Sequence, residues 1–359
     1  MGITGKGFTR IYNGFARIMK AAIYNPYLDT LGGGERYTMA FAQSLVKLGY
    51  NVDVELDDNT IKKKLEDRFG ITLSKINFVN DINRGDGYDI CFWVSDGSIP
   101  TLKARKNILH FQVPFKDVNG KTLLNKMKLF RINNVICNSY FTKEVIDKEY
   151  GVDSVVLYPP VEVHQIKPLK KKNIILYVGR FSQLEQSKNQ HILIEVFREL
   201  YTHGGKGWKL ILAGGTDVGV GAYIDQLESR MKDFPIEIIQ SPSFVQLKKL
   251  YGEAKIFWSA AGYGIDEVKN PRKVEHFGIS LVESMAAGCV PFAYNVGGPK
   301  EIIVDGENGY LWNSENELLQ KTKEIIEDTK MMKSISENAK EDCKVYEYER
   351  FEAEVASLL

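Results

Sequence analysis

Cysteine is scarce: four in 359 residues, at positions 91, 137, 289 and 343, with no paired spacing. That excludes a disulfide framework and a zinc knuckle, and a reducing cytosol suits the usage. No apolar run approaches the roughly 20 residues needed to span a bilayer, and no secretory pattern precedes the first apolar strand. Excess charge is also missing, with 47 Lys plus Arg against 46 Asp plus Glu, so nothing global attracts nucleic acid. Neither the dinucleotide glycine fingerprint nor a P-loop occurs, which argues against a dehydrogenase and a P-loop nucleotidase.

What is present is a globular composition, 44% hydrophobic and 26% charged, with length enough for two domains. Short apolar runs alternate with amphipathic stretches, as in parallel sheets covered by helices. The predicted strands are KAAIYN, NVDVEL, KINFVN, YDICFWV, KNILHF and NNVICN, then NIILYVG, WKLILAGG, IEIIQ, AKIFWSA and CVPFAY. Two such series imply an α/β protein of two doubly wound domains. The break belongs in YPPVEVHQIKPLKKKN, where three prolines favour extended chain. The expected organisation is an extension over 1–18, a first domain over 19–160, a linker over 161–171, a second domain over 172–340, and a closing helix over 341–359 that packs back on the first domain.

Charge is distributed unevenly. Residues 1–160 hold 22 basic and 17 acidic side chains, leaving 25 and 29 to the rest. Between Lys103 and Arg131 eight cations face only Asp117. This is either a solvated face or a contact with an anionic membrane. In the extension, Phe8, Ile11, Tyr12, Phe15 and Ile18 recur at helical spacing among cations, the pattern of a surface-lying amphipathic segment; Met19-Lys20 followed by AAIYNP reads as the natural beginning of the first strand, which favours a dispensable extension or an upstream start.

Open parallel sheets bind ligands at the carboxyl ends of their strands. Gly32, Gly33 and Gly34 make such a turn after the first strand, where glycine lets the backbone approach phosphate; Glu35 there is a helix-start cap. In the second domain Arg180 follows a strand and its glycine, and Lys188 opens the next helix. Two cations crowded at a strand end suit a diphosphate. The segment EHFGISLVE puts Glu275 before a helix N-terminus and Glu283 inside it, with the amides of Phe277, Gly278 and Ile279 aimed at an anion. Such spacing lets two carboxylates serve opposite ends of an elongated ligand. The stretch GYGIDEVKNPRK before Glu275 reads as a mobile flap or a disordered loop; its Asp266 and Glu267 are not taken as metal ligands.

EHFGISLVESMAAG followed by NVGGPKEII resembles the donor-binding signature of the retaining glycosyltransferases of family 4, which have the GT-B fold of two facing Rossmann-like domains. GGGER, HFQVPF, CNSYFTKEVI, LYPPVEV and VGRF with its later KNQ follow in the family's order. EHFGI, GGPK, CNSYFTK and YPP are similar to mannosyltransferases that extend lipid-linked or polysaccharide glycans. The resemblance implies that Glu283 binds the nucleotide ribose, Glu275 the donor sugar, and Arg180 and Lys188 the leaving diphosphate. It implies that Gly33 and Gly34 close over that group and that His110 stands beside the transferred sugar. It implies a donor of the nucleoside diphosphate sugar class, GDP-mannose ahead of UDP-sugars, with no metal and no further cofactor. It implies that the first domain takes the acceptor, a glycan or lipid-linked glycan, and the second the donor; the expected location is the cytoplasm, either free or peripheral at the inner membrane face. A nucleotide-sugar epimerase and a non-catalytic sugar-nucleotide-binding module are the alternatives.

Overall fold

The computed structural model describes residues 17–58, 60–182, 187–216 and 220–359. The first domain runs β1 (Lys20–Tyr24), α1 (Gly33–Lys47), β2 (Asn51–Glu55), α2 (Thr60–Phe69), β3 (Ile76–Val79), β4 (Ile90–Val94), β5 (Lys106–Phe111), α3 (Leu123–Leu129), β6 (Asn134–Cys137), α4 (Tyr140–Tyr150) and β7 (Val155–Val156). The second runs β8 (Lys172–Val178), α5 (Gln190–Thr202), β9 (Lys209–Gly214), α6 (Gly221–Met231), β10 (Ile236–Gln240), α7 (Phe244–Glu253) and β11 (Ala254–Ser259). It continues with α8 (Ile279–Ala286), β12 (Val290–Tyr294), α9 (Pro299–Ile302), β13 (Tyr310–Trp312), α10 (Glu315–Glu327) and α11 (Thr329–Asp342), and the chain closes on α12 (Tyr348–Leu358).

Each domain is a parallel sheet, ordered β3-β2-β1-β4-β5-β6-β7 in the first and β10-β9-β8-β11-β12-β13 in the second. The strands are apolar on both faces because helices or loops cover both; four of the five residues of β4, ICFWV, are buried. Strand order reverses between β1 and β4 and again between β8 and β11. Crevices open at these two points, and there the carboxyl ends of neighbouring strands can hold a ligand.

The domains are joined twice. The linker leaves β7, and the Val161 amide donates to Tyr346 O at 2.7 Å. Helix α12 then returns to the first domain, where Phe351 and Val355 enter the core beside Phe41 and Phe92. The Tyr37 ring meets Phe351 edge-on with centroids 5.3 Å apart. Burying two aliphatic or aromatic side chains in this way contributes several kcal/mol, at ~1.5–3 each.

One expectation changes, and a second falls outside the described residues. The GYGIDEVKNPRK stretch is folded, because its own acids cap its turns: Asp266 Oδ1 accepts from the Val268 and Lys269 amides at 3.0 and 3.1 Å. Glu267 accepts from the Gly297 amide at 2.6 Å and pairs with Lys300 at 2.5 Å, so the segment is pinned to the second domain. The expected amphipathic extension falls at Phe8, Ile11, Tyr12 and Phe15 outside the described residues. Beyond it, Ile18 is 64% exposed and Arg17 pairs with Asp89.

Candidate functional site between the two sheets

Beyond β8 the chain turns through Gly179 into Arg180, which is exposed. The Arg180 guanidinium lies 3.8 Å from the position a Cβ on Gly32 would take, so it reaches the glycine turn of the first domain. Glu35 is the N-terminal anchor of that turn, accepting from Thr30 Oγ1 and the Gly32 amide, each at 2.7 Å. Burial raises the Glu35 carboxyl above its ordinary value; these two donors and Arg180 oppose the rise.

A Cβ on Gly33 would stand 2.8 Å from Ile279 Cδ1, and one on Gly34 would stand 2.1 Å from Gln112 Oε1. Only glycine lets this turn meet α8 and the end of β5 so closely. Across the gap, Gly278 caps α8 at φ 114°, a conformation that glycine alone adopts without strain. The Leu281 and Val282 amides donate to the Gly278 carbonyl at 3.0 and 3.3 Å, and the Ile279 and Ser280 amides before them point out of the helix's positive end. The Phe277 ring is buried against Tyr158 and Tyr346, so it takes no part in the cleft surface.

Lys188 and Glu275 form an ion pair at 2.7 Å, with side chains only 15% and 24% exposed. Burial would raise the Glu275 carboxyl, yet Lys188, His276 and Arg180 together hold it below its ordinary value. It is therefore an anion at neutral pH, an acceptor of hydroxyl hydrogen bonds and no source of protons. Four residues of the loop between Arg180 and Lys188, 183–186, lie outside the described residues.

Glu283 is engaged on both oxygens. Its Oε1 pairs with Arg36 Nη1 of α1 at 2.7 Å, and its Oε2 accepts from Tyr251 Oη at 2.9 Å. Arg36, Tyr251 and Gln112 are site residues that sequence reasoning missed. Gln112 O also lies 3.2 Å from His276 Nδ1, and its side-chain Oε1 is buried without a partner. Burial pushes His276 down to about 4, so it is a neutral bridge between the domains.

His110 lies deeper than the other expected site residues, with both ring nitrogens buried and without a hydrogen-bond partner. It is wholly buried, stacked on Tyr37 at 4.3 Å and on Phe92 at 5.5 Å. Burial pushes its imidazole down to about 3. A neutral ring inside the first core does not face the cleft; two residues further, on the same side of the strand, Gln112 does.

A cluster that could hold a metal, His164, Glu347 and Glu349, sits where the linker meets α12 and includes none of these cleft residues. The cleft itself combines a guanidinium, an ammonium, a helix N-terminus and two carboxylates. That set can hold a molecule with a diphosphate in its middle and hydroxyls at both ends.

Residues 162–342 match the model of the family described as glycosyl transferases group 1. A 215-residue stretch is 32% identical to the GDP-Man:Man(3)GlcNAc(2)-PP-Dol alpha-1,2-mannosyltransferase of Dictyostelium discoideum, covering 55% of this chain but only 40% of that protein. Alpha-1,3/1,6-mannosyltransferase ALG2 of the same organism is 25% identical over 368 residues, covering 82% of this chain and 86% of that one. Among solved structures, a glycosyltransferase from Rickettsia africae superposes with a TM-score of 0.76 at 18% identity, over 95% of this chain and 97% of that one. Anabaena Alr3699/HepE, solved with UDP and glucose, gives 0.74 at 17% identity, over 94% and 98%. The structural likeness carries the fold, two facing parallel-sheet domains of GT-B type, and the family match spans just over half of the chain: this protein belongs to the group 1 glycosyl transferases.

Proposed function

We propose that the enzyme is a retaining, metal-independent family 4 transferase that moves a hexose, mannose before others, from a nucleoside diphosphate sugar to a glycan or lipid-linked glycan. The observation that carries this reading is the convergence of Arg180, Lys188 and the α8 N-terminus between Glu275 and Glu283. Cleavage of the sugar–phosphate bond places negative charge on the diphosphate, and fixed cations and amides stabilise that charge where it develops. Glu275 orients sugar hydroxyls, and Gly33 and Gly34 bring backbone to the phosphate. The acceptor attacks from the leaving-group face, and a phosphate oxygen takes its proton. GDP-mannose is favoured because the two Dictyostelium relatives are a GDP-Man-dependent alpha-1,2-mannosyltransferase and an alpha-1,3/1,6-mannosyltransferase.

The expected result of a thermal-shift screen is a larger rise in melting temperature with GDP-mannose than with UDP-glucose or UDP-N-acetylglucosamine, as a ligand that binds only the folded state stabilises it. At a hundredfold excess over Kd the gain is about 2.7 kcal/mol. A larger shift with a UDP-sugar reassigns the donor, and none with any sugar nucleotide refutes the reading.

Helix α3 supports a membrane-borne acceptor. None of the described helices is long and apolar enough to cross a bilayer. Yet Leu123, Leu124, Met127 and Phe130 at α3 are 75%, 61%, 66% and 92% exposed. Lys121, Lys126 and Arg131 are exposed around them, and Asp117 is the one acid between residues 97 and 143. Apolar side chains ringed by cations suit an anionic lipid surface. A second copy of the chain would bring like charges together. Vesicles with 30 mol% (about one third) phosphatidylglycerol should sediment the protein and neutral vesicles should not. Serine at the four apolar positions should abolish binding without changing donor binding; equal sedimentation of that variant sinks the assignment.

A further inference from the structure

The segment NVGGPKEII packs its two glycines against the chain that carries Glu275. The Gly298 amide donates to Glu275 O at 2.8 Å. A Cβ on Gly297 would stand 2.2 Å from that same oxygen, and one on Gly298 would stand 2.4 Å from Phe277 Cα. Gly297 also holds φ at 65°, which glycine adopts without strain. Residues 275–277 and the start of α9 therefore move as one piece.

Within α9, Glu301 reaches out of the second domain. Its Oε2 accepts from the Tyr140 amide at 2.8 Å and its Oε1 from the Phe141 amide at 2.6 Å. These are the first two amides of α4 in the first domain, and the third, of Thr142, is already taken by Ser139 Oγ at 3.0 Å. A half-buried carboxylate thus satisfies the two donors that the helix leaves over, at the end where its dipole favours an anion. Glu301 Oε2 accepts as well from Tyr158 Oη at 3.0 Å. The Tyr158 ring in turn packs on Phe277 with centroids 5.5 Å apart. One side chain that meets neither the phosphates nor the sugar in the reading above ties the backbone of Glu275 to the opposite domain.

We propose that Glu301 is a positioning residue: by latching the N-terminus of α4 it holds the two domains closed and keeps Glu275 and the first amides of α8 where the donor sugar meets them. Its effect on turnover rests on the transfer reading, whereas the latch itself is measured by shape. Opening the cleft returns the α4 amides to water and releases Glu301, so the latch is broken by domain motion alone.

The test compares the full-length protein with three variants. Glu301→Ala removes the latch, Glu301→Gln keeps its length without its charge, and Tyr158→Phe removes one donor while keeping the ring. In small-angle X-ray scattering with saturating GDP-mannose, Glu301→Ala should show a larger radius of gyration than the wild type. Its kcat should fall by about tenfold, as charged hydrogen bonds to two amides are lost. The rise in melting temperature with GDP should stay at the wild-type value, because Arg180, Lys188 and Glu283 all belong to the second domain. Glu301→Gln and Tyr158→Phe should fall between the two in radius and in kcat. An unchanged radius in Glu301→Ala overturns the proposal, as does a loss of kcat matched by an equal loss of GDP affinity, the mark of general disruption. If no sugar nucleotide raises the melting temperature of the wild type, the transfer reading fails. Scattering of the ligand-free proteins then decides on the latch alone, a larger radius in Glu301→Ala supporting it and an equal one refuting it.

Discussion

Arg180→Ala is expected to lower kcat by two to three orders of magnitude, roughly 3–4 kcal/mol of transition-state stabilisation, while sugar-nucleotide affinity changes only severalfold. Charge on the diphosphate grows as the sugar leaves, so a cation fixed beside it contributes more in the transition state than in the ground state. The structure distinguishes Arg180 from its neighbours. Lys188 is already paired with Glu275 and Arg36 with Glu283, whereas Arg180 is exposed and makes no ion pair with a described residue. Its removal strands no ion-pair partner, and Glu35 and Glu275 lose only the smallest of several favourable neighbours, so the melting temperature should hardly move. Arg180→Lys should recover part of the rate, since it restores charge without the planar fork. Steady-state kinetics with a separate nucleotide titration checks this. A kcat/KM loss matched by an equal loss of affinity would assign Arg180 to ground-state binding, and unchanged turnover would remove it from the chemistry.

Much of the scaffold was legible because a buried parallel strand writes itself as a continuous apolar run; KAAIY, ICFWV and KNILHF are strands in the structure. β13 was not read, since three residues, YLW, are too short for a period to show. At the cleft, glycine carried the information: Gly278 sits at positive φ before α8, so the helix start between Glu275 and Glu283 was visible. His110 shows the converse limit: alternation gives the face of a strand and not the depth along it, and His110 lies one repeat before Gln112, stacked on Tyr37 of α1. The pairing of Arg36 with Glu283 joins residues 247 apart in sequence, and no local pattern records it. One signal was available: Arg36 puts a cation in the first turn of α1, against the helix dipole, a local conflict of the kind that marks functional sites.

Cutting that pair should be the most destabilising single change in the cleft. The Arg36 and Glu283 side chains are 9% and 11% exposed, and removal of one partner from a buried ion pair costs about 3–5 kcal/mol because the other remains charged and desolvated. In Arg36, burial opposes the charge, but Tyr348 and Glu283 more than offset it and hold the guanidinium above its ordinary pKa. Glu283→Ala therefore strands a cation that cannot discharge, with Tyr251 losing its acceptor as well. Arg36→Met strands a carboxylate that keeps the Tyr251 hydrogen bond, so it should cost less. The double variant Arg36→Met, Glu283→Leu should be more stable than Glu283→Ala, as neither charge is left alone. Chemical denaturation of the wild type, Arg36→Met, Glu283→Leu and the double variant gives the coupling energy, and additive losses would show that the two residues do not act as a pair. The same set bears on the ribose assignment. If Glu283 serves the nucleotide, its loss weakens sugar-nucleotide binding by about tenfold or more. Arg36→Met, which frees one carboxylate oxygen, should then bind the nucleotide as well as the wild type or better. Parallel losses in both single variants would mean that the pair holds the domains together and that the ribose is bound elsewhere.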